Sequence, residues 1–319
     1  MCFLMGAAAG GMLPVAYALL AEMMPPKHRG WSLVLVGGLG GVGGYLAASS
    51  LSALLQPTYG WRIMWLLNLP TGLLLVLLSG MIPESVKYLL QVGRSDAAQA
   101  GVARFGASLA PRGVEVHVAP PVEARRSEAG LGLALSIAGL TWGLVNFGLL
   151  LWVPTELAGR GFGAGAIGKL LAQSALIALP TVFVAALAYS RWSTRGTVAA
   201  ALAVTLLGLG GVLLLEGGRL SSPVGPIALL IVGSNALLGV LLPYTAETYP
   251  ARVRGRATGW VAACTKAGGL VAQVLGILAS VPPLALAATA IMIPTALAAL
   301  LVAAFGPETR GRELSDLGH

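Results

Sequence analysis

The chain has 319 residues, of which 56% are hydrophobic and only 10% charged, with a formal net charge of +8. A soluble globular domain carries about 25% charged residues, so this composition excludes a soluble fold with a polar outer layer and points to a membrane protein. The basic excess does not indicate nucleic acid, because the Lys and Arg residues are scattered over separate segments rather than gathered on one face.

In chain order, apolar runs long enough to cross a bilayer, which takes roughly 20 residues, fall at 2–21, 31–56, 63–82, 131–153, 166–190, 196–215, 223–246, 257–281 and 284–306. The run "LGLALSIAGLTWGLVNFGLLLWV" is apolar all round, whereas a barrel strand would alternate apolar and polar residues. The expected fold is therefore an all-α integral membrane bundle with nine spans.

Alternating the connecting segments between the two sides tests that list. Most of the twenty basic residues then gather on one side, while the other side collects Arg62, Arg160 and Arg219. This asymmetry marks the first side as cytoplasmic and predicts a multi-pass protein of the inner (plasma) membrane with a cytoplasmic C-terminus. An odd number of spans then puts Met1 outside, with no charged flank and no cleavage site, so further spans are expected in front of it.

The first span ends in "AEMMPPKHRG", residues 21–30, and the seventh ends in "AETYPARVRG", residues 246–255. At nearly the same offset "PESVKYLL", from Pro83, corresponds to "PETRGREL", from Pro307. Two related halves follow, a six-span half and one with only three, so three opening spans are expected to be missing. The organisation expected is a truncated N-terminal half over 1–82, a cytoplasmic linker over 83–130, a C-terminal half over 131–306 and a tail over 307–319. Within the linker, "SDAAQAGVARF" reads as a short surface helix, and the Pro- and Gly-broken remainder as a joint between rigid bundles.

On "GAAAGGMLPVAYALLAE" with "MPPKHRG", "GWRIMWLLNLP", "PESVKYLL", and "LPYTAETYPARVRGRATGW" with "GPETRGREL", the chain resembles the major facilitator superfamily and, within it, the sugar-porter and metabolite:proton symporter branches. The resemblance implies a twelve-helix fold in two six-helix halves around a central cavity, with this chain running from the fourth helix to the twelfth. It also implies a secondary transporter that moves a small polar metabolite, a sugar or an organic anion, by alternating access with proton coupling. The alternative reading is a non-transporting or inactive truncated relative with a binding or regulatory role.

Polar residues inside spans are where a solute site is sought, because they are costly in hydrocarbon. The cavity candidates are Tyr17, Asn146, Gln173, Asn235, Tyr244 and Lys266, with Asn68 and Gln273 as further in-span polar residues. The resemblance assigns the spans of Tyr17, Asn146 and Asn235 to cavity-lining helices; for the two Asn, interhelical hydrogen bonding is the competing reading. Lys266 lies twelve residues beyond Arg254, roughly 18 Å along a helix and near mid-membrane. A cation there calls for a counter-charge, a wet cavity or an anionic ligand. We expect it to attract a carboxylate-bearing solute; pairing with an acid in the missing spans, or backbone bonding near Gly268 and Gly269, are the alternatives.

The signature residues Glu22, Arg29, Glu84, Glu247, Arg254 and Glu308 sit where spans leave the hydrocarbon. For the two decapeptides, a Glu paired with an Arg of its own loop or of a neighbouring helix would hold an inward gate. The competing reading is helix capping and topology. Small-residue spacings at Gly37 to Gly41, Gly40 to Gly44 and Gly255 to Gly259 predict close helix contacts within the chain, and a monomer is expected.

Enzyme chemistry has little support. Cys2 and Cys264 are far apart, the His residues form no ligand cluster, and "GGLGGVGG" lies inside an apolar span with no Lys-Ser or Lys-Thr after it. No cofactor or metal is expected; the partners expected are a small-molecule solute, protons and the lipid bilayer.

Overall fold

In the computed structural model the described residues are 2–24, 26–60, 62–80, 84–85, 89–90, 92–103, 125–159, 161, 180–220, 222–278 and 282–310. Among them the regular elements are helical. They comprise α1 (Cys2–Met23), α2 (Pro26–Tyr59), α3 (Arg62–Ser79), α4 (Ser95–Ala103), α5 (Arg125–Leu144) continued by a π turn (Val145–Leu149), and α6 (Leu150–Gly159). Then follow α7 (180–191), α8 (Thr194–Glu216), α9 (Val224–Thr248), α10 (Ala251–Ile277) and α11 (Leu284–Phe305).

Five stretches, Ala129–Val153, Thr194–Glu216, Val224–Thr248, Val253–Ile277 and Leu284–Phe305, are helices long and apolar enough to cross a membrane, and Gly10–Ala21 and Trp65–Ser79 are shorter apolar helices. The five long helices follow expected spans to within four residues, and the two shorter ones lie inside the spans expected at 2–21 and 63–82; the span expected at 31–56 falls within α2, which is not one of these five, and 166–179 of the span expected at 166–190 lies outside the described residues. Helices satisfy their own backbone groups, which a chain in lipid requires. That environment also tolerates Pro14, Pro70, Pro243 and Pro294 inside them.

The chain divides into two compact units, one of residues 1–38 with 120–319 and the other of residues 39–119. In the second, α3 exposes Leu66, Leu69, Leu73 and Val76, and α4 forms where the sequence predicts a short surface helix, with Asp96 in its first turn. Most of the predicted linker lies outside the described residues.

In the first unit α5, α11, α8, α9 and α10 pack in a closed ring, each on the next and α10 back on α5, while α1 packs across α9 and α10. One buried cluster gathers Leu33, Leu135, Leu202, Leu241, Tyr189 and Tyr244; a second, built on Val145, Leu149, Leu209, Leu230 and Ile291, fills the other part of the ring. Outward positions such as Leu207, Leu286, Ile293 and Leu300 stay exposed, as suits a protein whose solvent is lipid.

Glycine sets how closely the ring closes. A Cβ at Gly143 would stand 2.1 Å from the Thr265 carbonyl oxygen, and one at Gly268 would stand 2.1 Å from that of Leu140. Thus α5 and α10 cross backbone to backbone, and Gly208 and Gly233 do the same for α8 and α9. This corrects the expectation from spacing: among the described residues a Cβ at Gly40, Gly44, Gly255 or Gly259 would meet nothing within 4 Å, and Gly37 instead accommodates the Tyr17 hydroxyl. The spacing repeats along the helix, but the partner helix decides which face is used. The surroundings of Gly41 lie outside what the structure describes.

Candidate functional site

Both decapeptides form helix corners. The chain leaves α1 at Met23 and re-enters a helix at Pro26; it leaves α9 at Thr248 and re-enters one at Ala251, with Pro250 as N-cap at φ −61°. Proline suits such a position, since its ring fixes φ and its missing N–H is not required there. Arg29 therefore sits in the first turn of α2 and Glu247 in the last turn of α9.

Those two residues meet. Arg29 Nε lies 3.1 Å from Glu247 Oε1, and the side chains are only 4% and 3% exposed. The pair joins the Arg of one repeat to the Glu of the other, rather than linking groups of one loop. Glu247 is bound further by the Tyr189 hydroxyl, which donates to Oε2 at 2.7 Å, and by the Thr309 hydroxyl at 2.9 Å. A buried carboxylate holding an Arg and two hydroxyl donors has its charge largely met.

The C-terminal signature is the strap that completes this cluster. Glu308 caps α8: its Oε1 accepts from the Thr194 N–H at 2.9 Å and the Thr194 hydroxyl at 2.7 Å, and its Oε2 accepts from the Ser193 hydroxyl. Tyr244 donates to the Pro307 carbonyl at 2.7 Å, and the Arg310 guanidinium donates to the Arg191 and Trp192 carbonyls at the end of α7. Burial pushes the Glu308 carboxyl up, but the hydrogen bonds from Ser193, Thr194 and the Arg310 N–H outweigh it and hold it at about 2. Among the other signature residues, Arg254 is 1% exposed and Glu84, in the second unit, is exposed. The Glu22 side chain lies outside the described residues.

Away from these corners α1, α5, α9 and α10 line a partly open cavity of about 370 Å³, bounded among the described residues by Gly10, Trp142, Leu241, Leu242, Thr265 and Lys266, together with Leu238, Gly259, Ala262 and Ala263. Lys266 is its cation. The ammonium lies 5.9 Å from the Trp142 ring centroid and 5.4 Å from that of Phe147, within range of a cation–π attraction. Trp142 and Phe147 pack edge to face at 5.7 Å. The Trp142 indole donates to the Ser234 carbonyl at 2.9 Å, which fixes the ring against α9. Among the described residues no carboxylate lies within ion-pair distance of Lys266.

The remaining candidates do not converge on this cavity. Asn146 donates to Trp142 O at 3.1 Å and Asn235 to Ile231 O at 2.8 Å, each within its own helix. Tyr17 is buried between α1 and α2 at Gly37, and Tyr244 anchors the strap. Gln173 lies outside the described residues. Trp142, Phe147, Tyr189 and Thr309 are participants that the sequence alone does not single out: Trp142 and Phe147 look like core in an apolar run, and Tyr189 and Thr309 reach Glu247 only through the fold.

Comparison with known proteins places these features in context. The family model for the Major Facilitator Superfamily matches residues 1–273. The niacin transporter NiaP of Acinetobacter baylyi is 26% identical over 99% of this chain and 74% of its own length. The putative niacin/nicotinamide transporter NiaP of Bacillus subtilis is 28% identical over 86% of this chain, which spans 63% of that relative's length. The benzoate transport protein of Acinetobacter baylyi is 35% identical over 30% of the chain. In fold, the chain is similar to the proton:xylose symporter XylE in complex with 6-bromo-6-deoxy-D-glucose, with a TM-score of 0.70 at 17% identity over 96% of this chain and 70% of that one.

Proposed function

The chain belongs to the Major Facilitator Superfamily, a family of transporters rather than enzymes, and on that premise we propose that it moves small aromatic carboxylates across the plasma membrane. Lys266 carries this reading. A cation on the wall of an otherwise apolar cavity, flanked by two aromatic rings and without a carboxylate at ion-pair distance among the described residues, offers one charged contact and one flat apolar contact. Benzoate and niacin, for which two relatives of this chain are named, are small aromatic acids with that pair of features. A bound carboxylate would offset the cost of holding the ammonium in the membrane, and the ring would lie against Trp142 and the leucines of α9.

Transport would proceed by alternating access, the solute site opening to one side at a time, with protons as the coupling ion. The Arg29–Glu247 pair and the strap at Glu308 join several helix ends and would form when that end of the bundle is shut and part when it opens. Glu22 and Arg254, the corresponding residues of the two corners, are proposed for the same gating role, with Glu84 as the counterpart of Glu308. The basic side of the chain, including the C-terminus, would face the cytoplasm, and the working unit would be a monomer.

The test is uptake of labelled benzoate, nicotinate and neutral benzamide into vesicles under imposed pH gradients, for the wild type and Lys266→Met. Loss of a charge-assisted contact should weaken carboxylate uptake by about tenfold or more and leave any benzamide uptake unchanged. Equal loss for acid and amide would sink the charge-recognition reading.

A further inference from the structure

The helix that carries Trp142 does not run regularly past the cavity. At Val145–Leu149 it becomes a π turn, in which the Leu150 N–H reaches back to the Val145 carbonyl. A π turn admits an extra residue into the ladder, disturbs the usual pairing of backbone groups and is frequent at functional sites. In a membrane such irregularities are tolerated because neighbouring helices, side chains, ordered waters and local adjustment can satisfy the backbone groups they free.

A side-chain donor to this turn comes from α10. Gln273 Nε2 donates to the Phe147 carbonyl, at the middle of the π turn, at 2.7 Å. One helical turn earlier on α10, a Cβ at Gly269 would come within 2.7 Å of the Phe147 ring, so the ring lies against bare backbone there. Two contacts from the same helix therefore fix Phe147, one on its carbonyl and one on its ring. That ring stands 5.4 Å from the Lys266 ammonium, which itself projects from α10 two turns before Gln273. The arrangement closes on itself: α10 supplies the cation, the bed for the aromatic ring and the amide that holds the ring's backbone.

We propose that Gln273 is a positioning residue for the solute cavity. Its amide locks the π turn through the Phe147 carbonyl, and the locked turn keeps the Phe147 ring beside the Lys266 ammonium, so that the cation is held where a carboxylate can reach it. The residue touches no solute; it acts through Phe147 on Lys266. The functional consequence rests on the aromatic-carboxylate reading above, whereas the clamp itself does not.

The test uses the full chain and Gln273→Leu, which keeps the approximate size of an exposed side chain and removes the donor, with Gln273→Met as a second variant of similar length that also lacks a donor. Hydrogen exchange of the ligand-free protein reads the clamp: amides of residues 145–151 should exchange several-fold faster in either variant while those of α8 stay as they were. Benzoate uptake reads the consequence: KM should rise roughly three- to tenfold with the maximal rate nearly kept, and Phe147→Leu should shift KM in the same direction. Unchanged exchange over 145–151 would overturn the proposal. So would faster exchange with an unchanged KM in a protein that takes up benzoate. If the wild type takes up no benzoate, the substrate reading falls and the exchange result alone decides the clamp, in either direction.

Discussion

Arg29 Nε and Glu247 Oε1 lie 3.1 Å apart although 218 residues separate them along the chain, and both side chains are buried. The contact pairs the basic residue of one decapeptide with the acidic residue of the other. Removing one member of a buried ion pair leaves an uncompensated charge, at a cost of about 3–5 kcal/mol. Arg29→Ala should therefore lower the thermal midpoint of the purified protein sharply. Arg29→Lys should lower it less, because the charge remains while the Nε contact is lost. A double variant, Arg29→Ala with Glu247→Ala, should be less destabilised than the sum of the two single variants, a non-additivity that a double-mutant cycle in detergent measures.

The α5–α10 crossing makes an equally direct prediction about small residues. Gly268→Ala must push its methyl onto the Leu140 carbonyl oxygen, 2.1 Å away, and backbone cannot swing aside as a side chain can. Overpacking of this kind costs about 1–3 kcal/mol. Gly255→Ala, on the same helix, meets nothing within 4 Å among the described residues and should gain up to about 1 kcal/mol of helix propensity. Thermal unfolding of the two variants should thus move in opposite directions. Equal destabilisation would mean that this crossing does not govern stability.

Much of this architecture was legible in the sequence, because a run of apolar residues bounded by charges and prolines states both its medium and its ends. The two corners were visible as a repeated decapeptide, and Lys266 stood out as a cation far inside an apolar run. What stayed hidden are relations between helices. Either Glu of the repeats has an Arg in its own loop, so spacing offers a local partner, and only the folded ring brings Arg29 to Glu247. Trp142 and Phe147 read as ordinary core until the α5–α10 crossing sets them beside Lys266. Glu308 is more than a hundred residues from the helix start that it caps, a distance no local pattern spans. The glycines mislead for a similar reason: their spacing marks several faces of the helix, and the face used depends on the partner.

The strap supplies a prediction in pH. Glu308 has its carboxyl lowered from an ordinary value of 4.5 to about 2 by hydrogen bonds that outweigh burial. A group depressed in the folded state stabilises it above the unfolded value, and that contribution is lost as pH falls from about 4.5 through about 2. Glu308→Gln should therefore lower the thermal midpoint near neutral pH and make its fall between pH 4.5 and 2 shallower than in the wild type. Parallel curves for the two proteins across that window would contradict the capping role.

Trp142 allows the structural and solute-binding parts of the cavity to be separated. Its indole N–H holds the Ser234 carbonyl at 2.9 Å, while its ring faces the Lys266 ammonium at 5.9 Å. Trp142→Phe keeps an aromatic face and loses the donor, so it should cost about 1 kcal/mol of stability and change the benzoate KM little. Trp142→Leu loses both, and a cation–π contact of about 0.5–2 kcal/mol goes with the ring; its KM should rise by roughly two- to thirtyfold beyond that of the Phe variant. Uptake kinetics set beside thermal midpoints make the comparison. If Phe weakens uptake as much as Leu, the cavity depends on the tie to α9, and the ring beside the cation has no separate part in recognising the solute.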